Sequence, residues 1–177
     1  MKKTVLVVAL FLGFSTRLGA QSLAPIDYPV LRKALVKAVD SEALTDSLLL
    51  KITPFPNKTP FLVACMATLQ GLKAKHHWNP YSKLHYLQLA NKNMNKAVEA
   101  DLMNLEIRFM RFSMQHFTPS FLGYSKQLAE DKRMIVKLYE TQHFEFADTI
   151  MIKSIARFML ESRRCNDAEK QLFKKFA

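Results

Sequence analysis

The sequence predicts an all-α fold of stacked antiparallel helical hairpins, and three observations predict it. Beyond residue 20 only Gly71 and Gly123 remain of the four glycines, too few for the positive-φ turns that hairpin sheets need. No stretch sustains the apolar-polar alternation of a half-buried strand. Helix starts are instead marked repeatedly: Thr59-Pro60, Asn79-Pro80 and Thr118-Pro119 each place a capping side chain before a proline, whose missing N–H is harmless in a first turn.

Residues 1–20 have the three parts of a secretory signal. Lys2 and Lys3 supply the positive start, 5–14 the apolar run, and Gly19-Ala20 the small-residue exit before Gln21. The run is about half the roughly 20 residues a membrane-spanning helix needs, and Arg17 closes it. Cleavage after Ala20 is therefore expected, with an uncleaved tether as the alternative because Leu18 is large for its place. Loss of Lys2, Lys3 and Arg17 leaves 23 basic against 15 acidic residues, a net charge of +8. The remaining 157 residues, 21–177, are enough for one domain with a substantial core.

Helices are then expected near 28–39, 43–52, 60–75, 80–100, 104–117, 120–140, 144–163 and 167–176. Asp27, two residues before Pro29, starts the first. Short connections favour antiparallel neighbours. The segment 104–117 is unusual on a helical wheel. Glu106 and Ser113 form one narrow polar line, and Arg108, Arg111 and Gln115 form another on the opposite side. Leu105, Phe109 and Phe112 fill one flank, and Ile107, Met110, Met114 and Phe117 the other, so this helix is expected to be sandwiched between neighbours.

The spacing Ala90-x3-Met94-x2-Ala97-x4-Leu102 resembles the second helix of a tetratricopeptide repeat. Glu99-Ala100-Asp101 and Asn104-Leu105-Glu106 look like a junction between two repeats. Leu102 stands where that pattern has proline, the 76–82 stretch is an insertion, and Arg108, Arg111 and Phe112 depart from it too. The resemblance implies one degenerate repeat and a non-standard hairpin, a tetratricopeptide-like core over about 60–140. The phrases at 77–81, 106–112 and 120–124 also resemble those of uncharacterised secreted helical proteins of Gram-negative bacteria. That resemblance implies a fold and a compartment, and no activity.

Familiar catalytic signatures are missing. Two isolated glycines cannot form a phosphate-cradling loop, and neither G-x-S-x-G nor H-E-x-x-H occurs. Cys65 lies in the apolar run 62–67, without the electropositive setting that activates a thiol, and is expected as a small core residue. Cys165, in a polar stretch, is expected as a free exposed thiol, with a Cys65–Cys165 bridge as the alternative. His76, His77 and His85 cluster, yet no carboxylate lies between Thr53 and Val98 to complete a mixed site, so no metal and no cofactor is expected.

Two pairs are candidate binding residues. Trp78 and Tyr81 concentrate aromatic surface at a hairpin loop, fit to stack on a sugar or grip a peptide; packing that plugs the hairpin end is the favoured alternative. Arg108 and Arg111, one turn apart, offer a fork of donors for a carboxylate, a phosphate or an acidic peptide. The favoured reading of this pair is internal, with Glu99, Asp101 or Glu130 as partner, because buried guanidinium groups are usually paired.

The expected function is that of an exported, periplasmic or extracellular interaction module, not an enzyme, holding a protein or peptide of the cell envelope. A second reading is a basic protein bound to anionic lipid or polysaccharide. A third is an enzyme of unrecognised kind using a carboxylate such as Glu99 or Glu106. Nucleic acid is not an expected partner, because export removes the chain from it and aromatics at base-stacking spacing are not evident.

Overall fold

A computed structural model describes residues 26–145 and 147–177. The expected leader and its cleavage point lie outside them. The described chain forms α1 (Tyr28–Ala38), α2 (Glu42–Ile52), α3 (Pro60–His76), α4 (Pro80–Ala100), α5 (Leu105–Phe117), α6 (Leu128–Glu140), α7 (Thr149–Glu161) and α8 (Asp167–Lys174), with a 3-10 turn at Ser120–Leu122. It is an all-α fold, with no strand among the described residues. None of these helices is long and apolar enough to cross a membrane.

Local chemistry explains the starts. Asp27, Ser41, Thr59, Asn79, Asn104 and Asp148 each accept a backbone N–H of the first turn that follows, and Asn166 does so within a full capping box with Glu169. The expected start at Thr118-Pro119 is the exception. Thr118 is the C-cap of α5, and its hydroxyl donates to the Met114 carbonyl at 2.8 Å. The chain then makes the 3-10 turn, passes through Gly123 at φ 74°, and resumes as α6 only at Leu128, so 120–140 is not one helix. A left-handed residue cannot continue a right-handed helix, which is why the break falls there. Similarly, α7 begins at Thr149 under the Asp148 cap instead of near 144.

The longest helices, α3 and α4, form an antiparallel hairpin joined by residues 77–79. Gln70 accepts from Asn93 at 2.9 Å, and the His77 ring stacks on Tyr86 with centroids 5.3 Å apart. The α5–α6 pair differs from it, with 13-residue helices and a connection spanning 118–127.

Apolar side chains gather in three clusters that meet at α5. Leu105 and Phe112 face one built with α6, α7 and α8, around Ile135, Leu138, Tyr139, Ile155 and Phe173. Ile107 faces another with Ala64, Ala67, Met94 and Ala97 of α3 and α4. Met110 packs on that cluster and on a third, around Leu31, Leu35, Ile52 and Leu69. The helix with two apolar flanks is thus packed on both, except at its last residue, Phe117, which is exposed.

Candidate functional site

Because both flanks of α5 are packed, its two polar lines must find partners inside or at the edge of the fold. On one side, Glu106 is buried and receives Arg32 of α1 in a two-pronged pair, Nε to Oε2 and Nη2 to Oε1, both 2.7 Å. The same guanidinium lies 4.9 Å above the Phe61 ring. Burial pushes the Glu106 carboxyl above its ordinary range despite the pull of Arg32.

On the other side, Arg108 and Arg111 are 2% and 4% exposed. Arg111 grips Asp131 of α6 through Nε to Oδ2 and Nη2 to Oδ1, both 2.7 Å, and its Nη1 donates to Asn95 of α4 at 3.2 Å. Arg108 donates to Asp131 at 3.0 Å, to Glu130 at 2.7 Å and to the Leu102 carbonyl at 2.9 Å. The Arg108 hydrogen bond holds the Glu130 carboxyl below its ordinary range. One turn further, Gln115 donates to Gln127 at 2.9 Å. The pair therefore does not open onto a groove. Of the three acids expected as partners, Glu130 takes part, whereas Glu99 and Asp101 do not.

Sequence reasoning missed Asp131 and Arg32, and of the two Asp131 carries a legible signal. Asp131 stands on the inward stripe of α6 with Leu128, Ile135 and Leu138, at the helical spacing of core positions. An acid in that register demands a buried cation. Arg32 follows the buried Leu31 on α1.

Trp78 and Tyr81 lie elsewhere, at the free end of the α3–α4 hairpin. They are 87% and 85% exposed, so they do not plug the hairpin as packing. The hairpin end is closed by His77 on Tyr86 and by His76, whose Nε2 lies 3.2 Å from the Ala38 carbonyl. With those contacts made, Trp78 in the loop and Tyr81 on the first outward turn of α4 have nothing left to cover. Leu84, one turn beyond Tyr81, is also exposed.

Both cysteines are free and buried, Cys65 in the α1–α3 cluster and Cys165 in the α6–α8 cluster. Burial pushes the Cys65 thiol up to about 12. Cys165 corrects the expectation of an exposed thiol. The turn after α7 folds its side chain inward, where the sulfur lies 3.4 Å from the Met159 carbonyl, and burial raises its pKa as well. Among the described residues no three His, Cys, Asp or Glu side chains, His76, His77 and His85 included, converge as a metal site would need.

Arg32, Glu106, Arg108, Arg111 and Asp131 are thus spent on one another inside the fold, and Trp78 and Tyr81 stand exposed at the hairpin end. No family model, curated protein or solved structure matches this chain.

Proposed function

We propose that this protein is an exported, non-enzymatic helical module that acts by binding, and that the aromatic end of the α3–α4 hairpin is its binding surface. The observation that carries this reading is the exposure of Trp78 and Tyr81, at 87% and 85%, in the loop and the first turn of α4 at the end of two long packed helices. Large aromatic rings left in water on a rigid support are a standing cost to the free protein and the usual anchors of an interface. A catalytic reading asks for charged groups converging on a cleft. Here Glu106 is matched by Arg32, and Asp131 by Arg108 and Arg111. The leader expected over 1–20 delivers the domain to the periplasm or beyond, where its partner is a component of the cell envelope.

Retention on washed Gram-negative envelope fragments tests the reading. Wild type should be retained and Trp78→Ala/Tyr81→Ala released, with superimposable thermal melts. Equal retention of the two proteins, or of neither, overturns it. Export is checked separately: the protein recovered from the periplasm or medium should begin at Gln21, and an intact chain confined to the cytoplasm defeats that part.

A further inference from the structure

The binding surface can be given a partner class, an inference that rests on the reading of the hairpin end as that surface. We infer that Trp78, Tyr81 and Leu84 dock the protein on an anionic phospholipid bilayer, with their side chains at headgroup depth and the neighbouring cations on the lipid phosphates.

Shape is the first reason. Rings exposed to this degree stand proud of the surface instead of lining a cleft. The depressions found elsewhere, beside α1 and α2 and at the start of α5, include none of these residues. A peptide is held by a groove or a sheet edge that wraps it. A bilayer is broad and accepts a convex tip.

Residue type is the second. Tryptophan and tyrosine have an apolar body with a polar handle, and they concentrate where hydrocarbon meets headgroups. Leu84 adds an aliphatic side chain one turn from Tyr81. The end is also wider than the hairpin. Arg111 bonds Asn95, and Met114 lies 3.5 Å from where a Cβ on Gly71 would sit, so α5 runs antiparallel to α4 and finishes toward the same end. Phe117, the last residue of α5, is 74% exposed.

Charge is the third. No carboxylate occurs from 54 to 98. The acids that reach this end come from the α1–α2 region: Asp46 pairs with Lys73, Asp40 lies 3.5 Å from Lys75, and Glu42 acts on Lys73. Lys83 is exposed two residues beyond Tyr81, and Lys92 and Lys96 are exposed further along α4, ahead of its first acid, Glu99. An aromatic tip with a cationic flank matches a surface that is apolar below and anionic above.

Trp78 is the single tryptophan of the chain, so its fluorescence reports this contact directly. The protein as cells release it is mixed with phosphatidylglycerol vesicles, phosphatidylcholine vesicles or poly-glutamate, and brominated lipids serve as quenchers. Phosphatidylglycerol should blue-shift the emission and brominated acyl chains should quench it, with a weaker response to phosphatidylcholine and to high salt. Tyr81→Ala/Leu84→Ala should weaken partitioning by about tenfold or more, and Lys83→Glu should weaken it only at low salt. No blue shift with phosphatidylglycerol overturns the inference. So does an equal or larger response to poly-glutamate, which identifies an acidic polypeptide as the partner. Retention on whole envelope without any response to pure lipid overturns the bilayer while leaving the binding surface intact.

Discussion

Arg111 and Asp131 form a two-pronged pair between α5 and α6, with both hydrogen bonds at 2.7 Å and the carboxylate fully buried. Arg108 donates to the same carboxylate, so one acid anchors two guanidinium groups. Asp131→Ala removes the buried acid that both cations share, leaves them only the half-exposed Glu130, and should destabilise by about 3–5 kcal/mol. Arg111→Ala should cost less, because Arg108 still answers Asp131. The double variant should lose clearly less than the two single losses added together, because the residues act as a unit. Denaturant melts of the three proteins measure this, and simple additivity would show that the pair is not coupled.

Glu106 of α5 and Glu130 of α6 should respond to acid with opposite signs. Glu130, held below its ordinary range by Arg108, binds its proton less tightly when folded. The stability it gives is complete above the ordinary carboxylate range and is lost as pH falls through the depressed value. Glu106, raised by burial, binds its proton more tightly when folded. Its share of stability grows as pH falls through the raised value toward the ordinary one. Melting temperature against pH should therefore be flatter on the acid side for Glu130→Gln than for wild type, and steeper for Glu106→Gln. For the half-exposed Glu130 the change should be about 1 kcal/mol at most.

Neither thiol should react in the native protein. With Cys65 pushed up to about 12, its thiolate fraction at pH 8 is about one in ten thousand. Cys165 is shielded by the same burial that raises it. A maleimide should label neither cysteine before unfolding and both in denaturant, and mild oxidation should produce no internal bridge. Rapid native labelling of Cys165 would show that the turn after α7 opens.

The two glycines should answer alanine in opposite directions. In α3 a Cβ at Gly71 meets Met114 and Ala90 at 3.5 Å or more, ordinary contact, so Gly71→Ala should stabilise by about 0.5–1 kcal/mol through helix propensity. Gly123 has open space but φ 74°, so Gly123→Ala should cost about 1 kcal/mol. Paired thermal melts decide both. A destabilised Gly71→Ala would mean that the α3–α5 contact tolerates no added methyl.

The sequence by itself determined most of the helices, because caps, prolines and the 3.6-residue period act within a few neighbouring residues. Asn79, Asn104 and Asn166 announce helix starts without reference to anything distant. The two-flanked character of α5 was equally legible, since Phe112 and Ile107 point apart on any wheel. Partner choice was not. Whether Arg111 meets Asp131 or Glu99 depends on which helices come together, and Arg32 reaches Glu106 across 74 residues. The break at Gly123 was lost to a capping pattern that matched locally, until the Thr118 hydroxyl turned back to Met114. Trp78 and Tyr81 show the limit most plainly. A lone tryptophan beside a tyrosine reads as core by composition, and only the tertiary structure decided otherwise, because His76, His77 and Tyr86 already close the hairpin end and leave both rings in water.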